Sequence, residues 1–174
     1  MSRKKRKKVR SLIYQIKLLG NVIESEIMSV LDEAEYHGEF VHPLWRLIEI
    51  GVDEWKKDWY KDTDNVETLL AFYVADRLVG VARVTDMPHH QANGKVGFYI
   101  RPSERKKKYA PTMIRMIEDW CAVHGIKDIT AVVDVRNTAS MKALYSAGWQ
   151  RSGKEFRWNG NRNAVELKPV KNGS

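Results

Sequence analysis

Two different spacings of apolar residues divide the first part of the chain into a predicted strand and two predicted helices. Polar and apolar residues alternate over residues 11–19, a pattern that predicts a half-buried strand, with a helix as the alternative. From Val22 the apolar residues recur every three or four positions, which predicts a helix ending near His37 and Gly38. Pro43 then stands where proline is favoured, in the first turn of a second helix.

The rest of the chain alternates between strand-like and helix-like segments separated by turn residues. In chain order the predicted elements are strands at 68–74, 78–84 and 95–100, a helix at 110–124, a strand at 128–135, a helix at 138–146, and a terminal hairpin of 154–158 against 163–168 joined through Asn159 and Gly160. The unit from Lys95 to Val135 predicts a parallel strand pair connected by a crossover helix. The other strands are free to pair antiparallel, so the predicted fold is a mixed α/β sheet.

Composition and length are those of one folded domain. The chain has 174 residues, of which 43% are hydrophobic, so it is not of the disordered class. We expect a flexible basic tail at 1–8, one domain at 9–170 and a disordered C-terminus at 171–174. Cys121, the only cysteine, excludes an intramolecular disulfide and favours a reducing cytoplasm, with the thiol buried in a helix. No apolar run approaches the ~20 residues that span a bilayer, so we expect neither a membrane protein nor a secretory signal.

Lysine and arginine outnumber aspartate and glutamate by 30 to 22, which gives a net charge of +8. Much of the excess lies in two clusters, from Arg3 to Arg10 and from Arg101 to Lys108. The first is too charged to pack in a core and is typical of a solvated arm that contacts nucleic acid. The second lies between a predicted strand and a predicted helix, and this position favours another explanation.

The second cluster contains a loop with the spacing of an anion-binding site, Arg105-Lys106-Lys107-Lys108-Tyr109-Ala110. Successive backbone N–H groups and the N-terminus of a helix can together form a cradle for phosphate. The segment resembles the coenzyme-A-binding core of GNAT acetyltransferases, bacterial and phage members in particular, whose loop has the form (Arg/Gln)-x-x-Gly-x-(Gly/Ala). Lys108 replaces the usual glycine, and if that position requires a positive φ the lysine costs on the order of 1 kcal/mol.

A second motif, at residues 137–149, supports the same resemblance. Its sequence NTASMKALYSAGW is similar to the later family motif, in which an asparagine follows a strand and a helix carries a tyrosine shortly before Gly-Phe or Gly-Trp. The resemblance implies a mostly antiparallel twisted sheet with a central splayed parallel strand pair, flanked by about four helices. It also implies an acyltransferase that moves the acetyl group of acetyl-coenzyme A to a primary amine by direct attack in a ternary complex.

The resemblance further assigns roles to individual residues. Tyr145 aligns with the family tyrosine that protonates the departing thiolate, since a phenol is protonated at neutral pH as a general acid must be; the alternative is core packing. Asn137 is expected to bond backbone or cofactor amides, and Thr112 to donate to a phosphate oxygen. The full set of expected cofactor-binding residues is Phe98, Tyr99, Ile100, Arg105, Lys106, Lys107, Lys108, Tyr109, Ala110, Thr112, Asn137, Ser140 and Tyr145.

The general base is left open by the sequence. Asp134, near the end of its predicted strand, is expected to be catalytic, and the alternatives are Glu39, His89, His90 or an ordered water. No metal is expected, because the adjacent histidines lack cysteine or carboxylate partners nearby.

Two other functions stay open at this point. The chain is alternatively a GNAT-type protein that acts on or binds nucleic acid through the arm from Arg3 to Arg10, or a non-catalytic binding module, an idea that Lys108 motivates. The acceptor is a small-molecule or macromolecular amine of unknown identity, because the N-terminal half agrees with the family in element order alone. Either a monomer or a homodimer is consistent with the sequence.

Overall fold

A computed structural model describes residues 13–50, 61–62, 65–89, 93–133, 137–152 and 155–158. Within these ranges eight strands form one sheet and four α-helices pack on it. The strands are β1 Tyr14–Leu18, β2 Lys61–Asp62, β3 Asn65–Val74, β4 Arg77–Asp86, β5 Gly94–Ile100, β6 Ile129–Val132, β7 Gln150–Ser152 and β8 Glu155–Trp158. The helices are α1 Glu24–Tyr36, α2 Trp45–Ile50, α3 Tyr109–Val123 and α4 Thr138–Ser146, with 3-10 turns at Leu19–Asn21, His42–Leu44 and Pro102–Glu104.

The sheet is mixed, and its one parallel pair among the described strands is β5 with β6. The strand order is β1-β3-β4-β5-β6-β8-β7. Both β1 and β2 pair with the edge of β3 that faces away from β4. In the parallel pair Gly94 lies opposite Ile129 and Lys95 opposite Thr130, after which the register ends although both strands continue. The two central strands therefore separate toward their C-terminal ends, and α3 makes the crossover between them. The predicted mixed sheet with a splayed parallel pair is confirmed.

The first half of the chain follows its hydrophobic pattern closely. The alternating segment is a strand and not a helix, because β1 pairs with the end of β3 and places Tyr14 opposite Val74. Helix α1 ends where predicted, and Gly38 follows it with a φ of +66° that favours glycine. Pro43 stands in a 3-10 turn that leads into α2, so the second predicted helix is confirmed up to residue 50. Its continuation falls outside the described residues.

Strand β8 has a partner on each of its edges. One edge pairs with β6, where Ala131 lies opposite Phe156, and its other edge pairs with β7, where Arg151 lies opposite the same residue. The predicted terminal hairpin joins 154–158 to 163–168 through Asn159 and Gly160. Those two residues and the segment 163–168 lie outside the described part of the chain.

The core lies on both faces of the sheet. Along β3, Leu70 and Phe72 face a cluster that includes α3 and α4, whereas Leu69 and Ala71 face a cluster that includes α1. All four side chains are buried, as expected for a central strand whose successive residues point to opposite faces. The helices α1 and α2 therefore lie on one face, and α3 and α4 on the other. Within the described residues, no helix has both the length and the apolar character needed to cross a membrane.

Candidate functional site

The site is built around the loop that joins β5 to α3, and Glu33 binds the start of this loop. Glu33 of α1 accepts hydrogen bonds from Arg101 Nε and from the Ser103 backbone N–H, each at 2.5 Å. Arg101 also donates to Ser29 Oγ at 2.6 Å. Although burial alone raises it, the bonds from Ser103 and Arg101 hold the pKa of Glu33 below its ordinary value. The start of the loop is thereby fixed to α1.

Glu104 connects the middle of the loop to the start of β4 and to Lys107. Its buried carboxylate accepts from Arg77 Nε at 2.9 Å and from Lys107 Nζ at 3.0 Å. The bond from Arg77, opposed by burial and assisted by Lys107, keeps the pKa of Glu104 below its ordinary value. Lys107 was expected to add positive charge for a phosphate. Its ammonium group instead neutralises an internal carboxylate.

Arg105 is engaged in a two-point contact with the loop that follows α1. Its Nη1 and Nη2 donate to Glu39 Oε1 and Oε2 at 2.8 and 2.6 Å, and its Nε donates to the Ile100 carbonyl at 3.0 Å. The guanidinium also lies 5.4 Å from the centre of the Tyr99 ring. The first position of the predicted phosphate loop is therefore paired with a carboxylate in this structure. Both Arg105 and Glu39 stay partly exposed.

The end of the loop has the backbone geometry of an anion cradle. Lys106 has a φ of +62° and Lys108 a φ of +61°, so left-handed residues flank Lys107. Lys108 is the N-cap of α3, and its side chain makes no capping hydrogen bond. The N–H groups of Lys108, Tyr109 and Ala110 consequently have no partner within the helix. Left-handed turns and an uncapped helix N-terminus together favour an anion.

The remaining loop residues divide into backbone and side-chain contributors. Lys106 and Lys108 are exposed, and their side chains project from the cradle. Tyr109 is instead buried, with its ring in edge contact with Tyr14 at 6.4 Å, so it offers only its backbone N–H to a ligand. Ala110 and Thr112 are half-buried in the first turns of α3. The loop thus brings together the residues that the sequence predicted, but with fewer free charges.

The second motif forms the start and one face of α4. Asn137 is its N-cap, and Oδ1 accepts from the Ser140 backbone N–H at 3.1 Å, which confirms that it bonds a backbone amide. Tyr145 is 44% exposed and adjoins the buried Leu144, so core packing does not explain the tyrosine. Trp149, after the helix, donates through Nε1 to the buried Glu118 of α3 at 2.6 Å. This contact ties the two motif helices together.

Strand β5 presents different side chains to the two faces of the sheet. Phe98 and Ile100 pack against the cluster that contains α3, and Tyr99 packs on the opposite face. The Tyr99 hydroxyl is buried with no hydrogen-bond partner in the described chain, and burial raises its pKa. Beyond Lys95 this strand is no longer in register with β6, and the two strands separate toward the end of β5 from which the loop to α3 leaves.

The candidate bases are not brought together. Both carboxylate oxygens of Glu39 accept from Arg105, and His89 lies in an exposed turn. Asp134 and His90 fall outside the described residues, as does the arm from Arg3 to Arg10. In the described ranges no group of three or more histidine, cysteine or acidic residues is arranged to hold a metal.

Sequence reasoning missed the carboxylates that organise the site. Glu33, Glu104 and Glu118 each bind a donor from a distant part of the chain or loop. Glu104 had one local signal, because it is the single acidic residue inside the basic run from Arg101 to Lys108. Glu33 and Glu118 stand among other polar residues of their helices and carry no comparable mark. Their roles follow from partners that lie far away in sequence.

Comparisons with known proteins agree with this architecture. The sequence profile of the acetyltransferase (GNAT) domain matches residues 31–150. No curated protein sequence matches the chain.

Several solved structures share the fold. The N-acetyltransferase PseH of Campylobacter jejuni in complex with acetyl coenzyme A has a TM-score of 0.56 at 11% identity, over 83% of this chain and 96% of the other. The spermidine N-acetyltransferase of Vibrio cholerae in complex with CoA and spermine has a TM-score of 0.58 at 14% identity, over 83% and 91%. RimJ of Mycobacterium smegmatis in complex with CoA-disulfide has a TM-score of 0.59 at 15% identity, over 80% and 71%.

Proposed function

Because this chain belongs to the GNAT acetyltransferase family, we propose that it transfers the acetyl group of acetyl-coenzyme A to a primary amine by direct attack in a ternary complex. The observation that carries the proposal is the uncapped N-terminus of α3 behind two left-handed loop residues, Lys106 and Lys108. That cradle stands beside the opening between β5 and β6. A phosphate-bearing carrier and an acyl group on an extended arm fit these two neighbouring features.

The residues present suit a pyrophosphate. The N–H groups of Lys108, Tyr109 and Ala110 point along the helix axis toward the ligand, and the first turn of α3 contains no acidic side chain that would repel it. The small Ala110 side chain leaves the backbone accessible. The exposed ammonium groups of Lys106 and Lys108 add positive potential, which suits the 3′-phosphate of coenzyme A.

Bound acetyl-coenzyme A supplies an activated acyl carbon as a thioester. The N–H groups of β5 that lie past Lys95 and face away from β4 are not paired with β6, and in this proposal they bind the extended arm and polarise the thioester carbonyl. Tyr145 donates its phenolic proton to the departing thiolate sulfur as the new C–N bond forms and the C–S bond breaks. Asn137 acts as a positioning residue, because its cap on Ser140 N–H fixes the start of the helix that carries Tyr145.

The base that takes the amine proton is an ordered water or Asp134, with His90 and the exposed His89 as alternatives. Glu39 is a further alternative, and in the present structure both of its oxygens accept from Arg105. The acceptor is a small-molecule amine in this proposal, in keeping with the spermidine N-acetyltransferase whose fold is similar. An action on nucleic acid through the arm from Arg3 to Arg10 rests on charge alone and is the second candidate.

The test is a calorimetric titration of the purified chain with acetyl-coenzyme A, followed by an acetyl-transfer assay. We expect Ala110→Leu to weaken binding by roughly tenfold or more, because the added carbons cover the N–H groups of the cradle. Val123→Leu, at the 82% exposed C-terminal end of the same helix, is the matched control and should bind as the unmodified chain does.

The transfer assay follows thiol release with polyamines, aminoglycosides, amino acids, peptides and DNA as acceptors. Release with one amine class and not with DNA would support the first candidate function. If the unmodified chain does not bind acetyl-coenzyme A, the proposal fails, whatever the variants do.

A further inference from the structure

The contact between Arg105 and Glu39 joins the cofactor loop to a second concave surface. A groove of about 720 Å³ lies between α1 and α2, and Glu39 lines it together with Glu24 and Glu35. Exposed apolar side chains, including Met28 and Phe40, form much of its wall. None of the described side chains that line the groove is basic, although the chain as a whole carries a net charge of +8.

The groove therefore suits one class of ligand. Carboxylates above an apolar wall favour a cation carried on a hydrocarbon chain, because each part of such a ligand meets a surface of matching polarity. The amine that reacts must be neutral, so the cationic group held by a carboxylate is a different one. A diamine or polyamine satisfies both requirements.

Among the described residues that line the groove, Glu39 is the one shown to bond a residue of the cofactor loop. Its two oxygens are occupied by the Arg105 fork at 2.8 and 2.6 Å, a geometry that a phosphate group can replace on the arginine side. Arg105 begins the loop that ends in the anion cradle, and in the exchange inferred below a bound pyrophosphate competes with Glu39 for its guanidinium. When Arg105 is drawn away, the Glu39 carboxylate is left facing the groove without its counter-ion.

We infer that Glu39 exchanges partners during substrate binding: it pairs with Arg105 until the cofactor phosphates take that arginine, and it then receives a non-reacting ammonium group of a diamine or polyamine acceptor. The inference rests on the proposed function, since it requires the cofactor to bind at the cradle. It makes Glu39 a specificity-determining residue for the acceptor and couples the two binding events. Linkage then requires each ligand to tighten the binding of the other by the same factor.

The first test measures coenzyme A affinity by calorimetry, because the free thiol form permits no transfer. Glu39→Gln should bind coenzyme A about fivefold more tightly than the unmodified chain, the upper range for a partly exposed ion pair that no longer has to be broken. In a chain that carries Arg105→Gln, the same change should have no effect. Glu35→Gln, which lines the groove but has no contact with Arg105, should leave coenzyme A affinity unchanged and is the matched control.

The outcomes separate the two proposals. Weaker or unchanged coenzyme A binding by Glu39→Gln would overturn the exchange, since it would mean that Glu39 positions Arg105 for phosphate or that Arg105 takes no part. A gain that persists beside Arg105→Gln would also overturn it. In each of those cases coenzyme A still binds, so the proposed function stands, whereas loss of binding by the unmodified chain ends both proposals.

A second measurement uses 1,8-diaminooctane as the acceptor probe, and its main comparison is made on the unmodified chain. The diamine should bind the unmodified chain about fivefold more tightly when coenzyme A is saturating, and this gain should be lost in Glu39→Gln. Equal diamine affinity with and without coenzyme A would refute the exchange. 1,8-Octanediol, which has the same chain length but no ammonium group, should show no gain with coenzyme A at the same pH.

Discussion

Replacing Lys108 by glycine tests the link between the loop's backbone and its binding role. Lys108 holds a φ of +61°, ψ of +31°, and its side chain neither caps α3 nor leaves the solvent. A non-glycine residue in this region destabilises the folded chain by about 1–2 kcal/mol. Glycine removes that strain but lowers the free energy of unfolding by about 0.4–1 kcal/mol, because it raises the entropy of the unfolded chain. We therefore expect Lys108→Gly to raise the free energy of unfolding by about 0.5–1 kcal/mol. For a chain of this length that is a rise of about 1–4 °C in melting temperature.

Two other variants calibrate this value by thermal and urea unfolding. Lys108→Ala removes the ammonium group but keeps the side-chain Cβ, so its stability should stay within about 0.5 kcal/mol of the unmodified chain. Gly148→Ala makes the reverse change, at a φ of +87° where an added Cβ meets nothing within 4 Å, and should destabilise by about 1 kcal/mol. If Lys108→Gly is no more stable than Lys108→Ala, the strain argument is refuted.

The same variants report on the cofactor. Relief of strain alone should leave acetyl-coenzyme A affinity unchanged or improved in Lys108→Gly. If the ammonium group holds a phosphate, Lys108→Gly and Lys108→Ala should both lose affinity, and the loss should be larger at low salt. A clear loss in the glycine variant at every salt concentration, without one in the alanine variant, would contradict both explanations.

The remaining predictions concern the catalytic helix, the central strands and the loop anchor. Tyr145→Phe should lower turnover by ~10²-fold with little change in acetyl-coenzyme A affinity, because only the proton donor is removed; unchanged turnover in steady-state kinetics would leave water as the donor. Gly80→Ala should destabilise by about 1–3 kcal/mol, since its Cβ would lie 2.5 Å from the Tyr99 carbonyl oxygen, whereas Gly97→Ala, with its nearest contact at 3.9 Å, should be close to neutral by urea unfolding. The pKa of Glu104 is lowered in the folded chain, so the stability that its ion pairs contribute is complete above about pH 4.3 and is lost as the pH falls through the lowered folded value. In Glu104→Gln the free energy of unfolding should therefore fall less steeply with pH in the acid range. An unchanged acid dependence would show that the ion pairs of Glu104 contribute nothing.

Local pattern was sufficient for the order of elements and for the two motifs. Alternation over β1 and the apolar spacing along α1 and α3 each reflect a periodicity that the backbone geometry imposes, whichever neighbours pack on it. The positive φ of Lys108 agrees with the condition stated for this position, where the resemblance implies a glycine. These features are determined within about ten residues of sequence.

Long-range partners were decided by the tertiary structure alone. The sequence did not show that β8 would be enclosed by β6 and β7, since a strand carries no local record of which strands occupy its two edges. Nor did it show that Lys107 and Arg105 would be neutralised by Glu104 and Glu39, because charges in a basic run look equally free until the fold brings carboxylates to them. Pairing between residues 66 positions apart depends on the packing of α1 against the sheet, and only that packing decides which charges of the loop stay available to a ligand.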